Sequence, residues 1–283
     1  MLKTILELPH GRPLRVARLG PPTAAETVVL LHGYPDNLQV FSAVAPLLAA
    51  GRQVIAFDWP GQGDSAEWPG GATPVVLAKR LLMLLDYWGL AAVHLVGQDM
   101  GGQPALVFAA TCPARVRSLV VMNCLAGGEV ATSWEISWLR RFGLNRLLLR
   151  HLPRLVFERA LWTFLPKGRS SLPAPLRREL WRTFRQPAVR EVVVRMCAGY
   201  EAQLPRLPAR YRQVQCPTLV LWGENDKHFP PSQANFLARQ IPHARLEILP
   251  AAPHWMVLSH PAEVAAQLNR FYNSLPAITA LAR

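Results

Sequence analysis

Residues 97–101 read Gly-Gln-Asp-Met-Gly, set between an apolar run at 92–96 and a helix-forming run at 103–110. A strand that turns into a helix over so few residues holds its central residue, Asp99, in a strained backbone, and side chains on the flanking positions would collide. Gly102 and Ala105 extend the demand for small residues into the helix. The spacing is that of a turn presenting a nucleophile, with aspartate where serine is usual. Such a turn needs a strand before it and a helix packed back on that strand, so it commits the chain to layered α/β architecture.

The rest of the chain agrees. Apolar, β-branched runs at 14–19, 27–31, 53–58, 92–96 and 118–122 predict strands, and Leu77, Leu81, Leu84, Leu85 and Trp88 recur at helical steps within a helix over 74–90. From 130 to 212 the chain is rich in Arg, Leu and Pro with helical spacing, which predicts a helical insertion. Alternation resumes with a strand at 218–222, a helix at 232–240, a strand at 245–249 and a helix at 261–273 introduced by Ser259-His260-Pro261; a loose tail is expected over 275–283. The expected organisation is an α/β core from 1–129 and 213–283, with a helical cap over 130–212.

With 51% hydrophobic and 17% charged residues over 283 positions, the chain has enough apolar surface for a large core and is not disordered. Its net charge of +13 would suggest a nucleic-acid partner, yet residues 130–215 hold 17 Lys and Arg against 5 Asp and Glu, leaving the remainder nearly neutral. Arg177, Arg178, Arg182 and Arg185, like Arg146, Arg150 and Arg154, fall at spacings that suit solvated helix faces, so no nucleic acid is expected. The four cysteines, Cys112, Cys124, Cys197 and Cys216, form no CxxC pair and are read as buried thiols of a reducing compartment. Residues 1–20 carry Lys3, Glu7, Arg12, Arg15 and Arg18 without an apolar stretch, and no run approaches a membrane span, which leads to the expectation of a cytoplasmic protein.

Three further segments carry candidate chemistry. The strand at 27–31 runs into His32-Gly33-Tyr34-Pro35, whose glycine-centred turn can aim a backbone N–H at Asp99; the amides of Tyr34 and Met100 are the expected oxyanion donors. Asp226 follows the strand at 218–222, and His254 follows the strand at 245–249. Parallel strands open their carboxyl ends on one edge, so Asp99, Asp226 and His254 should converge in nucleophile, acid, base order. His32, His228 and His260 are read as structural.

These motifs resemble the aspartate-nucleophile branch of the α/β-hydrolases, which includes the soluble and microbial epoxide hydrolases and the haloalkane dehalogenases. The resemblance runs from Leu14 to Tyr272 and includes the H-G-x-P turn at His32 to Pro35, the Gly61-Gln62-Gly63-Asp64-Ser65 turn, the Asp99 elbow and the Asp226 and His254 loops. It implies an eight-stranded, mainly parallel sheet with the cap inserted after the sixth strand, and a cis bond before Pro35. It also implies an alkyl ester on Asp99 that is hydrolysed by water activated by His254 and Asp226.

A carboxylate attacking an ester gives an anhydride that falls back, so its natural target is saturated carbon bearing a leaving group or in a strained ring. An epoxide oxygen needs a proton, which the family takes from cap tyrosines, and Tyr200 stands where the resemblance places one. The second cap tyrosine is missing between Val130 and Gly199, and Tyr211 is a weak substitute. A halide needs N–H donors, often a Trp after the nucleophile, but Met100 stands there; Trp134, Trp138, Trp162 and Trp181 are read as packing or pocket-lining residues. The expectation is an epoxide hydrolase acting on a small apolar epoxide with water and without cofactor or metal. The alternatives are a dehalogenase built on the same residues, opening of another strained ring, or a non-catalytic binding protein of this fold.

Overall fold

The computed structural model describes residues 1–166 and 171–276, so the end of the expected loose tail lies outside the described residues. Eight strands form one sheet: β1 (Ile5–Glu7), β2 (Leu14–Leu19), β3 (Thr27–Leu31), β4 (Gln53–Phe57), β5 (Val93–Gln98), β6 (Val116–Met122), β7 (Thr218–Gly223) and β8 (Arg245–Leu249). Their spatial order is β1-β2-β4-β3-β5-β6-β7-β8. β2 runs antiparallel to β1 and β4, and every pairing from β4 through β8 is parallel. The α/β-hydrolase architecture inferred from the motifs is the one observed.

β3, β4, β5 and β7 are buried at every residue, as parallel strands must be when helices cover both faces. The covering helices fall into two mutually contacting groups. One contains α1 (Ala45–Leu48), α11 (Met256–Ser259) and α12 (Pro261–Asn273); the other contains α2 (Pro74–Tyr87), α3 (Gly102–Thr111), α9 (Leu207–Tyr211) and α10 (Pro231–Gln240). Thr73 caps α2 by accepting a hydrogen bond from the Val76 amide. That helix ends earlier than its apolar spacing suggests because Gly89, at φ +66°, turns the chain back.

Between β6 and β7 lie α4 (Trp134–Phe142), α5 (Leu144–His151), α6 (Pro153–Phe164), α7 (Ala174–Phe184), α8 (Pro187–Gln203) and α9, with no strand among the described residues. Their inner faces bury Phe157, Leu161, Leu180, Phe184, Val192 and Met196.

Two side-chain expectations need correction, and one strand was not expected. Trp134, Trp138 and Trp162 are exposed rather than packed or pocket-lining: Trp162 sits opposite the buried Phe157, Leu161 and Phe164 of α6, and α4 buries none of its described residues. Cys112 and Cys197 are only half-buried, whereas Cys124 and Cys216 are buried. β1 escaped notice because it is a three-residue edge strand with Ile5 and Leu6 exposed, so it carries no alternating pattern.

The Gly61–Ser65 turn wraps around Asp58 at the end of β4. Asp58 Oδ1 accepts the Leu38 amide (2.8 Å), Oδ2 accepts the Asp64 amide (3.0 Å), and the Ser65 hydroxyl donates to the Asp58 carbonyl (2.8 Å). A Cβ on Gly63 would run into the Asp58 carboxylate, which is why the turn needs glycine there. The same turn meets the inserted helices. Arg182 of α7 makes paired bonds to Asp64 (2.9 and 2.5 Å), and Arg15 of β2 reaches Glu179 of α7 at 2.8 Å.

Candidate active site

Because β3 through β8 point the same way, the loops leaving their carboxyl ends crowd one edge of the sheet. β5 delivers Asp99 at φ +50°, the strained geometry expected of the elbow. Gly97 and Gly101 are required because a Cβ on the first would meet the Gly101 carbonyl and one on the second the Leu31 carbonyl. β3 delivers the His32–Pro35 turn, whose Tyr34–Pro35 bond is cis. The Tyr34 N–H donates to Asp99 Oδ2 at 2.7 Å, and a Cβ on Gly33 would overlap the Asp99 carboxylate.

From β8 comes His254, fully buried, with Nδ1 2.7 Å from Asp226 Oδ2. Asp226, on the loop after β7, is itself fixed because its Oδ1 accepts the amides of His228 (2.8 Å) and Phe229 (3.0 Å). The other ring nitrogen, Nε2, lies 3.9 Å from Asp99 Oδ1 and has no hydrogen-bond partner among the described residues. Phe164 of α6 packs on the His254 ring with centroids 4.2 Å apart, and Phe229 packs at 5.6 Å. The inserted helices thus supply an apolar wall to the imidazole.

Burial pushes the Asp99 carboxyl up to about 7; the His254 charge pulls it down, Asp36 pushes it up, and hydrogen bonds from the Tyr34 and Met100 amides pull it down. For His254, burial alone would lower the pKa. The charge and hydrogen bond of Asp226, with the charges of Asp99 and Asp36, outweigh it and hold the ring above its ordinary value. Burial, followed by the negative charge of Asp99, drives the Tyr200 phenol well above its ordinary range. Tyr200, on α8, is buried and its hydroxyl donates to the Met100 carbonyl, directly beside the elbow.

The remaining candidates lie elsewhere. Tyr211 is fully buried and donates to the Ala126 carbonyl at 3.0 Å. The Nδ1 of His32 lies near the Gly33 carbonyl (3.0 Å) and its Nε2 accepts the Trp59 amide, so it holds the turn together. His228 bridges Ser133 (3.0 Å) and Thr163 (2.7 Å), and burial pulls its pKa down to about 4. His260 bonds Ser259 at the start of α12, and Trp181 packs beside Phe157 and Phe184. Among the described residues, no group of three or more His, Cys, Asp or Glu side chains is arranged to hold a metal. Among the described residues, no helix is long and apolar enough to cross a membrane.

Sequence reasoning missed Asn123, at the end of β6. Its Nδ2 donates to the carbonyls of His254 (3.0 Å) and Pro253 (3.3 Å), while its Oδ1 accepts the Gly223 amide (3.0 Å). One side chain thereby ties the base loop to the strand that carries the acid. The available signal was an Asn following a fully apolar strand, a residue type that tolerates its φ of +44°. Asp36 and Gln98 were missed as well; both are buried polar side chains near the elbow.

A parallel sheet whose strand ends present an elbow residue, an acid and a histidine in that order defines the α/β-hydrolase class. The family model described as alpha/beta hydrolase fold matches residues 26–261, and the chain belongs to that family. It is 30% identical over 261 residues to the dihydrolipoyllysine-residue acetyltransferase component of an acetoin cleaving system from Pseudomonas putida, covering 92% of this chain and 67% of that protein. It is 29% identical to a 2-hydroxy-6-oxononadienedioate/2-hydroxy-6-oxononatrienedioate hydrolase of Pseudomonas putida, covering 83% and 84% of the two chains. A thermophilic esterase from Thermogutta terrifontis superposes with a TM-score of 0.80 at 24% identity, covering 97% of this chain and all of that one. The family and fold are those of hydrolases, and these relatives are not named as epoxide hydrolases.

Proposed function

We propose that this hydrolase opens an apolar epoxide to a vicinal diol through an alkyl ester on Asp99. The observation that carries the reading is the unequal environment of the two Asp99 oxygens: Oδ2 accepts the Tyr34 amide at 2.7 Å, while Oδ1 lies on the His254 side at 3.9 Å from Nε2. With a serine nucleophile, oxyanion donors wait for a substrate oxygen. With an aspartate, the oxyanion of the second step is the residue's own carboxyl oxygen, so donors already bound to it suit this chemistry.

In the first step an Asp99 oxygen attacks a ring carbon, the carbon–oxygen ring bond breaks, and the leaving oxygen takes the Tyr200 proton. The hydroxyalkyl ester forms, and the Tyr200 phenolate is reprotonated from water, an uptake balanced by the proton that Asp99 releases at the end of the second step. In the second step His254 Nε2 removes a proton from water, and the water oxygen attacks the Asp99 carbonyl carbon. The tetrahedral oxyanion rests on the Tyr34 and Met100 amides. Its collapse expels the diol alkoxide, which receives the proton from His254, and leaves Asp99 as the carboxylic acid, whose proton passes to solvent to restore the carboxylate. Asp226 stabilises the imidazolium throughout.

The outward position of Trp134, Trp138 and Trp162, together with Met100 after the nucleophile, disfavours halide abstraction because indole donors are withdrawn from the elbow. The names of the relatives favour a second reading, hydrolysis of an oxo-dioate. Acyl transfer to Asp99 would form an anhydride, and that weighs against it.

The test offers epoxides, haloalkanes and a 2-hydroxy-6-oxo-dienoate to the wild type and to His254→Gln. Diol release by the wild type, and a His254→Gln adduct at Asp99 matching the epoxide mass, are expected. Asp99→Asn should lose turnover, and Tyr200→Phe should slow ring opening by about tenfold or more. Turnover of the dienoate alone, without any alkyl adduct, would overturn the proposal.

A further inference from the structure

The inserted helices carry large apolar side chains that stand exposed among the described residues. Trp134, Trp138, Leu147, Leu152, Leu155 and Trp162 are each 49% to 67% exposed. Scattered exposed apolar residues are ordinary, but these all fall within the run of three consecutive helices, α4 to α6, that contact one another. Trp134 and Trp138 lie one turn apart on α4 with their rings edge to face at 6.4 Å. On α6, Leu155, Arg159 and Trp162 share one stripe, and Arg159 binds Glu135 of α4 at 2.6 Å, setting that stripe beside the two tryptophans. Leu152 occupies the joint between α5 and α6. The opposite side of α6 buries Phe157, Leu161 and Phe164, so the outward stripe is not part of the core.

Arginine outnumbers glutamate around this surface, with Arg140, Arg150, Arg154 and Arg159 each beside one glutamate. Residues 134–164 contain six Arg and two Glu, and Arg146, Arg150 and Arg154 are exposed. A second copy of this face would bring the same positive charge, and the rest of the chain, with 25 Lys and Arg against 16 Asp and Glu, is net positive as well, which disfavours self-association through this face. Tryptophan and leucine that sink a few ångströms, rimmed by arginine, match an anionic lipid surface, where indole rings settle at the headgroup level.

We infer that the outer face of α4–α6 docks this protein on anionic membranes as a peripheral, reversible contact. The exposed stripe lies on the side of α6 opposite Phe164, which packs on His254, so this inference does not depend on the reaction proposed above.

The test is co-sedimentation of the full chain with vesicles of phosphatidylglycerol and phosphatidylcholine, and with phosphatidylcholine alone, at low and high salt. Tryptophan quenching by brominated lipid accompanies it. We expect at least about tenfold preference for the anionic vesicles, weakening with salt, and quenching of the wild type. The triple variant Trp134→Ser/Leu155→Ser/Trp162→Ser should lose binding by about tenfold or more and escape quenching, with hydrolysis of a water-soluble substrate unchanged. Arg150→Glu/Arg154→Glu, which leaves every apolar side chain in place, should also weaken binding. Equal affinity for both vesicle types, or undiminished binding and quenching in the triple variant, would overturn the inference. So would light scattering that shows a dimer dispersed by the triple substitution without vesicle binding.

Discussion

Asp99 is held up to about 7 by burial, and only its carboxylate form is a nucleophile, so its titration governs the first chemical step. Single-turnover alkylation is expected to rise with pH through about 7 and level off above it. The positive charge of His254 lowers the Asp99 pKa, so His254→Gln should move that midpoint upward. Stopped-flow alkylation across pH 5–9 checks this, and an unmoved or lowered midpoint counts against the coupling of the two groups. Gly33 is the second sensitive position. Gly33→Ala places a methyl group on the Asp99 carboxylate, so loss of alkylation with little change in thermal stability is expected. Both positions were visible in the sequence, since a glycine flanking a catalytic strand end reads as a close approach. The role of Asn123 was not visible, because its partners are two carbonyls and an amide a hundred or more residues away along the chain.

At the scale of elements, the contact between the Gly61–Ser65 turn and α7 depends on two unequal arginines. Arg15 is nearly buried among Asp58, Asp64 and Glu179, whereas the Arg182 side chain is 47% exposed. Removing Glu179 takes the shortest ion pair from the nearly buried Arg15, leaving it Asp58 and Asp64, and also takes a partner from Arg182, a loss of about 1–3 kcal/mol, whereas an exposed pair contributes under about 1 kcal/mol. Glu179→Ala should therefore destabilise the protein far more than Arg182→Ala, as read by urea denaturation; a reversed order would show that the exposed pair dominates. Hydrogen bonds from Arg182, with the nearby charge of Arg15, hold the Asp64 and Glu179 carboxyls below their ordinary values. This contribution is complete above the ordinary carboxylate range and is lost as the pH falls through the lowered values. The sequence displayed the strands, the helices and the turn glycines. It did not display that Arg15, a strand residue, and Glu179, a helix residue, would meet.

For the whole molecule, the decisive feature is that β6, β7 and β8 end together and Asn123 joins the loops that follow them. Asn123→Ala leaves a buried amide and two buried carbonyls without that partner, at a cost of about 1–3 kcal/mol. The base should also be held less firmly, so ester hydrolysis is expected to slow more than alkylation. Pre-steady-state kinetics separates the two; equal slowing of both steps would assign Asn123 a purely structural role.

By itself the sequence determined the α/β layering, the elbow and the order of the three candidate groups. These are carried by local signals: apolar periodicity, glycines that admit forbidden backbone angles, and polar residues at strand ends. Tertiary structure alone decided which Asp99 oxygen faces the amide and which the imidazole, which tryptophans face outward, and how far burial shifts Asp99. Each of these is set by distances between segments far apart in the chain and by exclusion of water, neither of which local pattern encodes.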